Sequence, residues 1–266
     1  MNQTLFQLTR LINYWLDAVN VHSIHSPFFY SLYTEVIRGP HDDNGTVEEI
    51  ENLRLRLRSA PDIIEVVDLG AGSHRARHSD NATRRVSDIA RFSMSPKKYS
   101  VFYRNLIRYV NAREVVELGT SLGINTLYMA SANPRAKIKT FEGSPAIAAI
   151  AQKHFDQLAF KNISLVAGNI DETLEGVVDT MDNLDIAFLD ANHRYVPTLR
   201  YFETLLRKTH IGSIVILDDI HYSSEMERAW KTIKVHPKVF ATADLYRCGL
   251  VFFDPSLAKQ HFVLQY

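Results

Sequence analysis

Apolar positions along this chain follow two rhythms. Leu5, Leu8, Ile12, Trp15, Leu16 and Val19 recur three and four apart, which predicts an amphipathic helix over residues 3–20. "HSIHSPFFYSLYTEVIR" follows at 22–38, where Ser26-Pro27 is a helix start with serine as N-cap and proline at the first helical position. "HDDNGTVEE" (41–49) reads as a loop leading into a charged helix with "LRLRLR" at 53–58. Residues 62–69, "DIIEVVDL", read as a strand, and the polar, locally basic stretch 73–91 as a loop passing into a short helix.

From about residue 95 the texture changes. β-rich apolar runs, "EVVELG" (114–119), "IKTFEG" (138–143), "ISLVAG" (163–168), "LDIAFLD" (184–190) and "GSIVILDD" (212–219), alternate with segments of helical period. Those helices start behind Ser144-Pro145, behind Pro197 (197–208), and behind Ser223 or Ser224. Strands alternating with helices imply right-handed βαβ units and a parallel sheet, with ligands outside the carboxyl ends of the strands. Two strand-like runs at 238–254 add an antiparallel C-terminal edge, and "HFVLQY" one more edge strand. The expected class is α/β: a mostly parallel sheet with that edge, behind a helical N-terminal cap. The expected boundaries are 1–92 for the cap, 93–254 for the main domain and 255–266 for a tail or edge strand.

Composition narrows the partners. The 266 residues are 46% hydrophobic, enough for a sizeable core, and 30 basic residues balance 30 acidic ones. That balance gives no general reason to expect nucleic acid or an anionic membrane as partner. The single cysteine, Cys248, excludes an internal disulfide and a cysteine metal cluster, and fits a reducing, cytoplasmic setting. The N-terminal stretch lacks the pattern of a signal peptide, and no run of eighteen apolar residues is present to span a bilayer. Whether helix 3–20 packs on its own core or makes a homo-oligomer is open.

Two glycine turns compete for a ligand: "DLGAGS" (68–73) and "ELGTSLG" (117–123). The first, with Asp68, Gly70 and Gly72, is followed by "HRARHSDNATRR", where no apolar helix begins, so no βα unit forms. The second is followed by "INTLYMASA", helical and apolar. Its spacing, Gly119-Thr120-Ser121-Leu122-Gly123, is G-x-x-x-G, so the dinucleotide fingerprint is absent. Acids stand at both strand ends instead: Glu117 before the turn and Glu142 after the next strand. Carboxylates suit a cationic ligand without phosphate better than an anion-binding nest does.

These residues resemble class I S-adenosylmethionine-dependent methyltransferases. "FLDANHRYVP" (188–197) and "IVILDDIH" (214–221) are similar to the small-molecule O-methyltransferases of the catechol, caffeoyl-CoA and macrocin types. The cap, with "HSIHSPFF" and "DLGAGS", looks like that of uncharacterised bacterial methyltransferases. The resemblance covers about residues 93–254 and implies a Rossmann-like methyltransferase fold with S-adenosylmethionine as cofactor. It implies that Glu117, Gly119, Thr120, Ser121 and Gly123 hold the methionine part, that Glu142 takes both ribose hydroxyls, and that Gly168, Asn169 and Ile170 flank adenine. Asp190 would sit between cofactor and acceptor. In the catechol type, an Asp after strand four and an Asp-Asn pair after strand five hold magnesium. Asp190 and Asp219 match, the Asn position is Ile220, and Asp218-Asp219 follow the macrocin pattern.

Three carboxylates, Asp190, Asp218 and Asp219, would suit a hard divalent cation such as Mg2+, which would clamp and acidify a substrate hydroxyl. The alternative is that Asp218 or Asp219 caps the following helix and no metal binds. The family's lysine base has no counterpart. His193 is the candidate that would take the hydroxyl proton, against a hydrogen-bonded surface histidine. For His221 the surface reading is preferred. Arg75, Arg77, Arg84, Arg85 and Arg91 form a basic cluster that either holds an acidic substrate group or is a solvated face. The His22/His25 pair reads as a capping or packing feature, since no third metal ligand is nearby in sequence.

The expected activity is methyl transfer from S-adenosylmethionine to a small-molecule hydroxyl. The alternatives are a non-catalytic S-adenosylmethionine-binding protein, and an N-, carboxyl- or RNA methyltransferase. The second group lacks support, because this chain has "DANH" after strand four and no N/D-P-P-Y/F motif there. A nicotinamide dehydrogenase would instead be stabilised by NAD.

Overall fold

Helical periods and β-rich runs become an α/β fold in the computed structural model of the chain, which describes residues 3–40, 45–67 and 81–266. The "DLGAGS" turn, Arg75 and Arg77 lie outside the described residues. The chain forms two compact units, residues 1–39 with 178–266, and residues 40–177. Among the described residues, no helix is long and apolar enough to cross a membrane.

In the first unit, α1 (Gln3–Asp17) has the predicted helix, and most of its apolar stripe is not packed on the chain's own core. Phe6 is buried, while Leu5, Leu8, Ile12, Trp15 and Leu16 stay exposed, Trp15 by 74%. The helix is held by its other stripe. Gln7 Nε2 donates to the Tyr222 carbonyl at 2.9 Å, Arg10 pairs with Glu227 at 3.0 Å, and Tyr14 donates to the Leu264 carbonyl at 2.7 Å. Positions three and four apart share a helix face, so these polar side chains line up as cleanly as the leucines do. Short α2 (Pro27–Ser31) has Pro27 in its first turn behind Ser26, as predicted, and continues as a π-helical turn over Leu32–Ile37. It buries Phe29, whose ring meets Phe252 edge-on at 5.6 Å.

The second unit runs through α3 (Gly45–Arg58), β1 (Ile63–Val67), β2 (Asn81–Arg85), α4 (Val86–Ser93) and α5 (Lys97–Tyr109). It continues through β3 (Glu114–Leu118), α6 (Ile124–Ala132), β4 (Lys137–Glu142), α7 (Pro145–Gln157), β5 (Ile163–Ala167) and the start of α8 (Ile170–Asp179). Strands β3, β4 and β5 pair in parallel in that order. Val47, Ile50, Leu53 and Leu57 of α3 share one core with Ile89 of α4, Leu127 and Tyr128 of α6, and Phe155 of α7. Strand β2 was not expected, because "NATRR" carries no apolar alternation. It pairs antiparallel with β1 through the backbone, a ladder that does not need apolar side chains.

The rest of the first unit is β6 (Leu184–Leu189), α9 (Tyr195–Leu206), β7 (Thr209–Asp218), α10 (Ser224–Lys234), β8 (Ala241–Asp244), β9 (Cys248–Phe252) and β10 (Gln260–Val263). Strands β6 and β7 are parallel, and β9 runs antiparallel to both β7 and β8. Strand β10 adds to β8 in parallel. Ser223 caps α10 by accepting from the Met226 N–H at 3.2 Å, one of the two expected starts.

Candidate functional site

The second glycine turn is built by backbone that only certain residues can adopt. Gly119 and Gly123 sit at φ 101° and 83°, and Ser121 between them at 49°. A Cβ on Gly123 would come 2.6 Å from the Phe155 ring, so glycine is required there twice over, by torsion and by space. The N–H groups of Gly119 and Thr120 both donate to the Phe141 carbonyl, at 3.0 and 2.9 Å, which draws the turn toward the end of β4. His154 of α7 is buried and donates from Nδ1 to the Leu122 carbonyl at 3.0 Å. Burial pushes its pKa down, toward the neutral ring.

Glu142 lies under this turn. Its Oε2 accepts from the Ser121 N–H and its Oε1 from the Ser144 N–H, each at 2.9 Å. Burial raises its pKa, and these backbone bonds oppose the rise. A carboxylate offers about four lone-pair sites, so roughly two stay available to a ligand's hydroxyls. Gly168 donates its N–H to the Glu142 carbonyl at 2.9 Å from a φ of 127°, and Asn169 starts α8 by accepting from Asp171 at 3.0 Å. The Ser121 hydroxyl is buried with no hydrogen-bond partner among the described residues. These features fit a nucleoside with free ribose hydroxyls.

Glu117 is fully buried, and its Oε2 accepts from the Thr126 and Thr140 hydroxyls at 2.5 and 2.6 Å. Thr140 in turn meets Thr120 at 2.6 Å. Through Oε2 the acid ties β3, β4, the turn and α6 together.

The second group of candidate residues follows β6 and β7 in the other unit. Asn192, His193 and Asp219 are all left-handed, at φ 67°, 46° and 53°, a conformation costing about 1–3 kcal/mol per residue that collects at functional sites. His193 Nε2 lies 3.4 Å from Asp190, while His193 Nδ1 and Asn192 Oδ1 are buried without partners among the described residues. Burial raises the Asp190 pKa and the Asp218 charge raises it further, against the lowering contact with His193. For His193 burial works downward. The hydrogen bond to Asp190 and the charges of Asp190, Asp219 and Asp218 outweigh it and push the imidazole up to about 9. His221 Nε2 meets Asp244 at 2.8 Å and its ring stacks on Tyr246.

Asp218, fully buried, accepts from Arg247 Nε at 3.2 and 3.3 Å and from Nη2 at 2.9 Å. Arg247, Tyr246 and the α1 side chains were not among the expected site residues. The break between the last two strand-like runs was the available signal, because an antiparallel neighbour of β7 returns its turn to the end of that strand. Among the described residues, no three or more His, Cys, Asp or Glu side chains are grouped to hold a metal ion. Asp190, Asp218 and Asp219 therefore do not fit Mg2+ as expected: the Asp218 oxygens are engaged by a guanidinium. His22 and His25 form no such group either. Arg85 and Arg91 are exposed, and Arg84 is half-buried.

Residues 116–220 match a family described as a methyltransferase domain. A catechol O-methyltransferase of Niastella koreensis is 30% identical over 131 residues, 48% of this chain and 58% of that protein. The chain thus spans little more than half the length of that relative. An SAH-bound methyltransferase of Podospora anserina superposes over 87% of this chain and 97% of its own, with TM-score 0.59 and 14% identity. An O-methyltransferase of Bacillus cereus in complex with SAH covers 84% and 97%, with TM-score 0.56 and 17% identity. Parallel strands joined by helices, an antiparallel C-terminal edge and these likenesses lead to one conclusion: the chain has the Rossmann-like fold of class I methyltransferases, and residues 116–220 within it are similar to a methyltransferase domain.

Proposed function

We propose that the chain transfers a methyl group from S-adenosylmethionine to a hydroxyl oxygen of a small molecule. The observation that carries this reading is Glu142, hydrogen-bonded to Ser121 beneath the glycine turn with acceptor capacity left over. The donor, when bound, supplies an electrophilic methyl on a sulfonium sulfur. Glu142 accepts the ribose hydroxyls, Gly119 and Gly123 let the backbone come close, and Gly168, Asn169 and Ile170 flank the base. Ser121 offers its hydroxyl to the same ligand. Glu117 is a positioning residue that holds the turn through Thr126 and Thr140. The likeness to the catechol O-methyltransferase of Niastella koreensis supports a hydroxyl as the acceptor group.

His193 and Asp190 handle the acceptor's proton. With Nε2–H directed at Asp190, the unpartnered Nδ1 carries the lone pair that accepts it. The acceptor oxygen forms the new C–O bond as the C–S bond breaks, and its proton ends on His193. No covalent adduct with the protein is needed, so proximity, alignment and exclusion of water supply the acceleration. The test is transfer of labelled methyl from S-adenosylmethionine to a panel of phenols, catechols, sugars and hydroxy acids. Methyl ethers from at least one class are expected. Donor binding with no transfer to any acceptor would leave a binding protein and sink the reading.

A further inference from the structure

We infer that Arg247 is the resident cation of the Asp218 carboxylate cluster and replaces a divalent ion there. The consequence for the reaction rests on the methyl-transfer reading above; the placement of the charge does not. The backbone delivers Arg247 to this point. Cys248 of β9 pairs with Asp218 of β7, so the residue just before it stands at the end of β7. The β8–β9 turn is closed by Leu245 N to the Cys248 carbonyl at 2.9 Å and by Arg247 N to the Leu245 carbonyl at 2.8 Å. The Arg247 carbonyl then accepts from the Ile220 N–H at 3.2 Å. Both the main chain and the side chain of Arg247 are thus tied to the end of β7.

The donor set agrees. Both Asp218 oxygens accept from the guanidinium fork, the planar geometry in which arginine binds a carboxylate. Ile220, the next position but one, is fully buried, and its apolar side chain offers no ligand atom. The charges of Asp218, Asp219 and Asp190 together hold Arg247 firmly protonated against the burial that opposes it. A fixed guanidinium neutralises carboxylates as a metal would, but it has no open coordination position for a hydroxyl. Two consequences follow. Proton removal falls on His193, and the acceptor need not present two neighbouring hydroxyls to a shared ion, so a lone hydroxyl suffices.

Mn2+ binding, followed by its electron paramagnetic resonance signal, tests this on wild type, Asp218→Asn, Arg247→Ala and Arg247→Lys, with thermal melting of each. No readout passes through donor binding or turnover, so failure here is distinct from failure of the methyl-transfer reading. Wild type and Arg247→Lys are expected to show no Mn2+ site that depends on Asp218. Arg247→Ala is expected to melt lower and to gain a saturable Mn2+ site that Asp218→Asn removes again. If Arg247→Ala does not fold, Arg247→Ala/Asp218→Asn is expected to restore folding, because the fully buried Asp218 charge is removed together with the guanidinium that binds it. Wild-type Mn2+ binding abolished by Asp218→Asn would overturn the inference. So would a folded Arg247→Ala that melts like wild type and binds no Mn2+, or a double variant that stays unfolded.

Discussion

Ser121 donates its backbone N–H to Glu142 Oε2 at 2.9 Å, so the turn after β3 and the acid that ends β4 form one hydrogen-bonded unit. The bond fixes the left-handed Ser121 and aims the carboxylate from the next strand at whatever the turn holds. Its loss would loosen both partners at once.

Gly123→Ala should destabilise the protein by about 2–4 kcal/mol, adding left-handed strain to overpacking against Phe155. Denaturant unfolding of wild type and variant measures it. A change below about 0.5 kcal/mol would mean that the turn accommodates a Cβ and is not the rigid cradle described.

His154 predicts a pH effect on stability. Its folded-state pKa lies below the ordinary 6.5 because of burial. As pH falls below 6.5, the unfolded chain takes up a proton that the folded chain refuses, and stability is lost down to the folded pKa. Above 6.5 the group contributes no slope. Melting midpoints of wild type should therefore drop more steeply on acidification than those of His154→Gln. Parallel curves would show that the histidine titrates alike in both states.

Much of the fold was legible because burial imposes periodicity. The runs at 114–119, 138–143 and 184–190 overlap β3, β4 and β6, and the starts at Ser144-Pro145 and Ser223 coincide with those of α7 and α10. What was not legible depends on partners distant in sequence. Arg54 sits in "LRLRLR" beside Arg56 and Arg58, yet it is buried, donating to the Ser95 carbonyl at 2.5 Å and the Ser100 hydroxyl at 3.0 Å. The leucine stripe of α1 faces solvent because polar side chains on its other face found carbonyls to bind. The candidate ligand residues could be read from strand ends. That Glu117 faces threonines and Asp218 an arginine could not, since either acid has the same local pattern when it is open.

His193→Gln should lower methyl transfer by about 10²–10⁴-fold, the range for loss of a general acid–base group, while donor affinity stays near wild type. Neighbouring carboxylates hold the imidazole protonated up to about 9, so the wild-type rate should rise with pH through that region as the base form fills. Initial rates across pH, with donor binding measured in parallel, check both. An unchanged rate in the variant, or a flat wild-type alkaline profile, removes His193 from proton transfer.

Isothermal calorimetry of S-adenosylmethionine into wild-type protein and Glu142→Gln, both verified as folded by thermal melting, tests the central claim most directly. Wild type should bind saturably, and Glu142→Gln should bind more weakly by about 2–4 kcal/mol, roughly 30- to 700-fold, as charge-assisted bonds to the ribose are lost. No binding by wild type, or equal affinities in the two proteins, would contradict the account.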